Sequence, residues 1–122
     1  MNLVVEDAEG GAVVIRWSEP AVLDAANAEE LREQVAEVQA RSPRIVFDMG
    51  QVEFIDSAII GALVGFLRRT RASGGDVKLA GLTPDIETIF EITRLHRVFS
   101  IHPSVAAALD DFRTASKTES GD

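Results

Sequence analysis

The stretch that most constrains this chain is Arg44–Leu67. Its first residues, RIVFD (44–48), form a short apolar run suited to a buried strand. Met49–Gly50–Gln51 interrupts it with a polar break. Phe54–Ile55 then lead through Asp56–Ser57 into a segment whose apolar residues recur at Ile59, Ile60, Leu63, Val64, Phe66 and Leu67. That is helical spacing, with 60, 63, 64 and 67 on one face. Asp56 and Ser57 therefore fall at the start of a helix, in a loop leaving a strand. Their oxygens can accept the unpaired amide hydrogens of the first turn. The same free N–H groups, with the positive end of the helix dipole, also suit a phosphorylated serine. Local physics allows a cap and a switch, and does not choose between them.

The rest of the chain alternates strands and helices. Leu3–Val5 and Ala12–Trp17 read as strands joined by a turn containing Gly10–Gly11. Ser18–Glu19–Pro20 ends the second, because proline cannot donate to a ladder. A helix follows to about Arg41, capped by Asp24, or by Asn27 with Glu30 in a capping-box pattern. Leu31, Val35 and Val38 supply its apolar stripe, and Ser42–Pro43 stops it. Beyond the loop at Ala72–Gly75, Val77–Ala80 reads as a strand and Thr83–Pro84 opens a helix whose inner face is Ile86, Ile89 and Phe90. Arg97–Ile101 reads as the fifth strand. His102–Pro103–Ser104 starts a last helix with the stripe Val105, Ala108, Leu109 and Phe112. The expectation is one domain over residues 1–113 and a disordered tail over 114–122. The order β-β-α-β-α-β-α-β-α predicts an α/β (α+β mixed) fold: a mixed sheet of about five strands covered by about four helices. Its functional loops should lie at the carboxyl ends of strands, after Trp17 and after Asp48.

Composition narrows the function. The chain has 122 residues, no cysteine and a formal net charge of −8. Disulfides and thiolate chemistry are excluded. The acidic balance argues against nucleic acid and anionic membrane as partners. The arginines at 68, 69 and 71 read as a solvated face complementing a helix C-terminus. MNLVVEDAEGG lacks the pattern of a signal peptide, and no apolar run is long enough to span a bilayer, so a cytoplasmic location is expected.

Enzymatic motifs find little support. No serine sits in a G-x-S-x-G elbow, and there is no P-loop or Gly-rich fingerprint after the first strand. His96 and His102 have no carboxylate pattern around them that resembles a zinc site. Asp48, Glu53 and Asp56 could hold magnesium or accept phosphate, as in a response-regulator receiver. A receiver also needs an acidic pair after the first strand and a late Lys-Pro, and here Lys78 precedes Leu79. Turn-capping, solvated acids are the simpler reading.

The stretch FIDSAIIG (54–61) resembles the phosphoserine signature of the STAS domain family, whose single-domain members are anti-sigma factor antagonists. The usual motif is Asp-Ser-Ser or Asp-Ser-Thr followed by Gly-Leu-Gly. LDAAN (23–27) is similar to the segment after the family's second strand. RIVFDMGQVEFIDS (44–57) is similar to its central strand and loop, and residues 74–109 to its C-terminal half. The resemblance implies a binding module rather than an enzyme, with no catalytic residue, metal or cofactor of its own. It implies that Ser57 is phosphorylated by an anti-sigma factor serine kinase, which supplies ATP, magnesium and the base. The unphosphorylated form binds that kinase, the phosphorylated form does not, and a serine phosphatase restores it. Asp24, Asp56, Ser57, Ala58, Ile59 and Ile60 would form the partner-facing site.

Two departures from the family pattern matter. Relatives usually carry glycine where this chain has Ile59, and Ser or Thr where it has Ala58. The Ile59 side chain must either enter the core or stand exposed on the binding surface. The loop Ser18–Val22 is longer than the usual Gly-x-Leu-Asp and lacks its glycine. The alternative within the same family is a non-switching STAS subunit that docks a partner in a lipid-transport or stress-signalling complex. A free edge strand near the N-terminus could also pair two copies as a homodimer.

Overall fold

The computed structural model describes residues 1–120, with side chains through Thr114. Five strands form the main sheet in the order β1-β2-β4-β6-β7: β1 (Leu3–Asp7), β2 (Val13–Trp17), β4 (Arg44–Asp48), β6 (Asp76–Ala80) and β7 (Ser100–His102). β1 is antiparallel to β2, with Leu3 opposite Trp17 and Asp7 opposite Val13. The other neighbours are parallel. The helices are α1 (Ala28–Gln39), α2 (Ser57–Ala72), α3 (Pro84–Ile92) and α4 (Val105–Ser120).

This strand order dictates where the helices go. From β2 to β4, β6 and β7 the chain always steps the same way across the sheet. Right-handed crossovers then force all three connecting helices onto one face. Alternation along the strands matches this arrangement. Val13, Ile15, Trp17, Ile45, Phe47, Val77 and Leu79 point into one core with Leu31, Val35, Leu63, Leu67, Ile86 and Phe90 of α1–α3. Val14, Val46 and Ala80 point the other way, against Ala108 and Phe112 of α4. Only α4 roofs that second face.

The structure corrects several boundaries. Ala21–Leu23 (β3) and Val52–Ile55 (β5) are strands of a separate two-stranded parallel sheet rather than plain connections. They are three and four residues long, too short to display a period, and the pairing shifts register between Ala21 and Val22. The last strand begins at Ser100 rather than Arg97. Residues Leu95–Arg97 form a 3₁₀ turn, after which Phe99 inserts against Phe90 with 5.8 Å between ring centroids. On α2 the buried face is Ile59, Ala62, Leu63, Phe66, Leu67 and Thr70, while Ile60 and Val64 are half-buried. The helix is apolar around much of its circumference, so periodicity alone did not fix its deepest stripe.

The disordered tail expected over 114–122 falls largely on residues whose side chains lie outside the described residues. The α4 backbone is helical to Ser120, and residues 121–122 lie outside the described residues. The close packing between strand entries is sharpest at Gly75. A Cβ there would lie 1.8 Å from the Pro43 carbonyl oxygen, which accepts from the Asp76 amide at 2.9 Å.

Candidate functional site

The loops leaving β2 and β4 converge because β3 and β5 pair. The Ala21 amide donates to the Gln51 carbonyl at 2.8 Å, and Leu23 lies in register with Ile55. β5 then runs into α2 with one intervening residue, Asp56.

Asp56 is the N-cap of α2, in extended conformation. Its Oδ1 accepts from the Ile59 amide at 3.0 Å. Its Oδ2 accepts from the Ala25 amide at 2.9 Å. One carboxylate thus caps the helix and holds the 24–27 turn against it. That turn is itself closed by side chains. Asp24 Oδ1 accepts from the Ala26 amide, Asn27 Oδ1 accepts from the Asp24 amide, and Asn27 Nδ2 donates to the Val22 carbonyl, each at 2.9 Å. The capping box expected from Asn27 and Glu30 is absent. Asn27 is the N-cap of α1 by position, but its side chain is spent backwards on Val22 and Asp24, and Glu30 pairs with the Met1 amino group at 2.7 Å.

Ser57 is the first residue of α2 and is exposed. Its hydroxyl makes no hydrogen bond among the described residues. The first-turn amides of Ser57 and Ala58 also have no partner there, whereas those of Ile59 and Ile60 are taken by the Asp56 side chain and carbonyl. The site therefore offers a free hydroxyl, open N–H groups and the positive end of a 16-residue helix, beside a carboxylate fixed by two hydrogen bonds. Such a place can receive an added phosphate, though beside a like charge.

Of the residues named from sequence, the structure brings together Asp24, Asp56, Ser57 and the half-buried Ala58 and Ile60. Ile59 is corrected. It is 0% exposed and belongs to the main core, so its side chain presents nothing to a partner. The branched residue is accommodated because its position on α2 faces the sheet. Two residues were missed. Val22 and Phe54 are opposite one another across β3 and β5 and are 53% and 47% exposed. The signal that hid them is the burial pattern of β5, in which Val52 and Ile55 turn inward and both residues between them face out.

The other candidates have ordinary roles. Asp48 Oδ1 accepts from the Gly50 amide at 3.1 Å and closes the turn after β4. His96 Nδ1 lies 3.2 Å from the Phe90 carbonyl, and His102 Nε2 lies 2.8 Å from Ser100 Oγ. Among the described residues, no group of three or more His, Cys, Asp or Glu side chains could hold a metal ion. No helix among them is long and apolar enough to cross a membrane.

Comparison with known proteins identifies the fold. The sequence model of the STAS domain matches residues 4–108. A Bordetella bronchiseptica protein described as an anti-sigma factor antagonist, BtrV, is 33% identical over 95 residues, spanning 77% of this chain and 82% of that one. The crystal structure of an anti-sigma factor antagonist from Mycobacterium paratuberculosis superposes with a TM-score of 0.80 at 25% identity, covering 91% of this chain and 92% of that one. The Bacillus cell fate determinant SpoIIAA, solved in phosphorylated form, has the same fold, with a TM-score of 0.69 at 22% identity over 90% of this chain and 98% of that one.

Proposed function

Because this chain belongs to the STAS domain family, we propose that it is an anti-sigma factor antagonist whose binding to an anti-sigma factor serine kinase is controlled by phosphorylation of Ser57. The observation that carries this reading is the unengaged, exposed Ser57 hydroxyl at the first position of α2, next to the doubly hydrogen-bonded Asp56. It is supported by relatives named anti-sigma factor antagonists and by a protein of this fold solved phosphorylated.

The switch follows from charge. A phosphate adds roughly −1.5 to −2 charge at neutral pH. In the free protein, water and the open amides of the first turn of α2 accommodate it. In a complex, the same phosphate would be desolvated beside Asp56, where like charge is costly. Phosphorylation then weakens binding without refolding the domain. On this reading the kinase supplies ATP, magnesium and the base, and a serine phosphatase reverses the mark. The contact surface combines Asp24, Asp56 and Ser57 with the exposed pair Val22 and Phe54.

Mass spectrometry of the protein purified from its own cells, with and without stress, tests the proposal. A phosphate on the Ser57 peptide, with kinase binding retained by Ser57→Ala and lost by Ser57→Asp, is the expected result. No phosphate under any condition, with a stable partner copurifying, would replace the switch by a constitutive docking subunit.

A further inference from the structure

Away from Ser57, several cations of the molecule stand unpaired. Four arginines, at 68, 69, 94 and 97, make no ion pair among the described residues. Every other described lysine and arginine is engaged by an acid or a carbonyl. In a chain with 20 acidic and 12 basic residues, arginines without a partner need a reason. Arg69 turns toward α1, where it lines a shallow hollow with Gln39 and Thr70. Arg94 and Arg97 lie at the corner where the segment linking α3 to β7 meets the end of α2. Arg71 donates to the Val98 carbonyl at 3.4 Å, which fixes the end of α2 against the turn after α3. Arg68 lies three residues before Arg71, on the same side of the helix.

The corner also exposes aliphatic side chains. Ile92 is 76% exposed and Val98 41% exposed, and between them the sequence TRLHR carries no acid. The segment is held rigid. Arg94 adopts a left-handed conformation, φ 60°. The amides of Arg97, Val98 and Phe99 bond back to the Arg94 and Leu95 carbonyls at 2.9–3.1 Å. Phe99 and the half-buried Leu95 anchor it to the core. A fixed backbone presenting arginines around exposed aliphatics has the composition of a protein interface rather than of a solvated face.

We propose that Ile92, Arg94, Arg97 and Val98, with Arg68, form a second docking surface whose occupant is an acidic, leucine-bearing segment of another protein. Charge complementarity selects it: unpaired guanidiniums match carboxylates, and Ile92 and Val98 match aliphatic side chains between them. The net charge of −8 sets the rest of the molecule against phosphate-rich polymers and lipid surfaces. The surface lies roughly 15–20 Å along α2 from Ser57, from 11 to 14 residues at 1.5 Å each, so both ends of that helix can be occupied together. The inference does not depend on the phosphoswitch.

The test is a titration of the ¹⁵N-labelled full chain with a short synthetic peptide alternating Glu and Leu, followed by amide shifts. Controls are the Gln-for-Glu peptide and phosphatidylglycerol vesicles. The expected result is saturable shifts at residues 68 and 92–98 that the Gln peptide does not produce. Arg97→Glu and Ile92→Ser should each weaken binding by about tenfold. Arg97→Glu keeps the test clear of the left-handed Arg94. Shifts that are absent, spread over the surface or unmoved by Arg97→Glu would overturn the proposal. So would binding to vesicles without binding to the peptide.

Discussion

Val22 and Phe54 face one another in register across two short parallel strands, both about half exposed, and the strand that carries Phe54 runs directly into the helix that begins at Ser57. An apolar pair of this size is costly to leave in water and valuable to bury against a partner. Phe54→Ser should therefore weaken binding to the anti-sigma factor by at least about tenfold and shift the melting temperature little. Isothermal titration and thermal denaturation of the same variant check both halves.

Asp56 carries two hydrogen bonds to segments far apart in sequence. Asp56→Ala removes the N-cap of α2 and frees the 24–27 turn together. The expected cost is about 2 kcal/mol, read by urea denaturation. Asp56→Asn keeps an acceptor for one amide and should lose less. If the turn loosens, hydrogen exchange at Ala25 and Ala26 should rise in Asp56→Ala before exchange elsewhere does.

How much of this was legible in the sequence depends on the residue. The junction at Asp56–Ser57 was readable because a helical period begins there and an acid precedes it. Thr83–Pro84 was readable for the same kind of reason, and α3 starts at Pro84. β3 and β5 were not, because segments of three and four residues with a register shift show no alternation. Their pairing is a long-range fact, and it is what exposes Phe54. The fate of Ile59 was undecided for a related reason: α2 carries apolar residues on several sides, and only the packed structure shows which side meets the sheet.

Ile59 gives a direct check on that packing. The side chain is fully buried, so Ile59→Ala should leave a cavity and cost about 2–4 kcal/mol. Because the Ser57 frame is held by Asp56 rather than by Ile59, binding measured below the lowered melting temperature should change little. Equilibrium unfolding and binding on one preparation separate the two effects.

Beneath α4, Lys78 is 5% exposed and donates to Asp111 at 2.7 Å and to Ser100 at 3.3 Å, with its ammonium 4.5 Å above the Phe112 ring centre. The Lys78 hydrogen bond holds the Asp111 carboxyl below its usual value, against an opposing effect of desolvation, with help from His102 and Ser100. A carboxylate depressed in the folded state stabilises above its unfolded value and loses that contribution as pH falls through the folded one. The docking of α4 should weaken below about pH 4, where ordinary carboxyls protonate. Lys78→Met should flatten this acid sensitivity, as followed by Phe112 side-chain resonances.

The contact from Asp56 to Ala25 spans 31 residues of chain, and it decides how portable the serine is. A segment such as Phe54–Gly61 grafted onto another helix would carry the hydroxyl and its own cap. It would leave behind the 24–27 turn that occupies the second oxygen, and with it the fixed orientation of the charge beside the serine. In this protein the setting of Ser57 is a property of two distant stretches of chain, and neither is transferable alone.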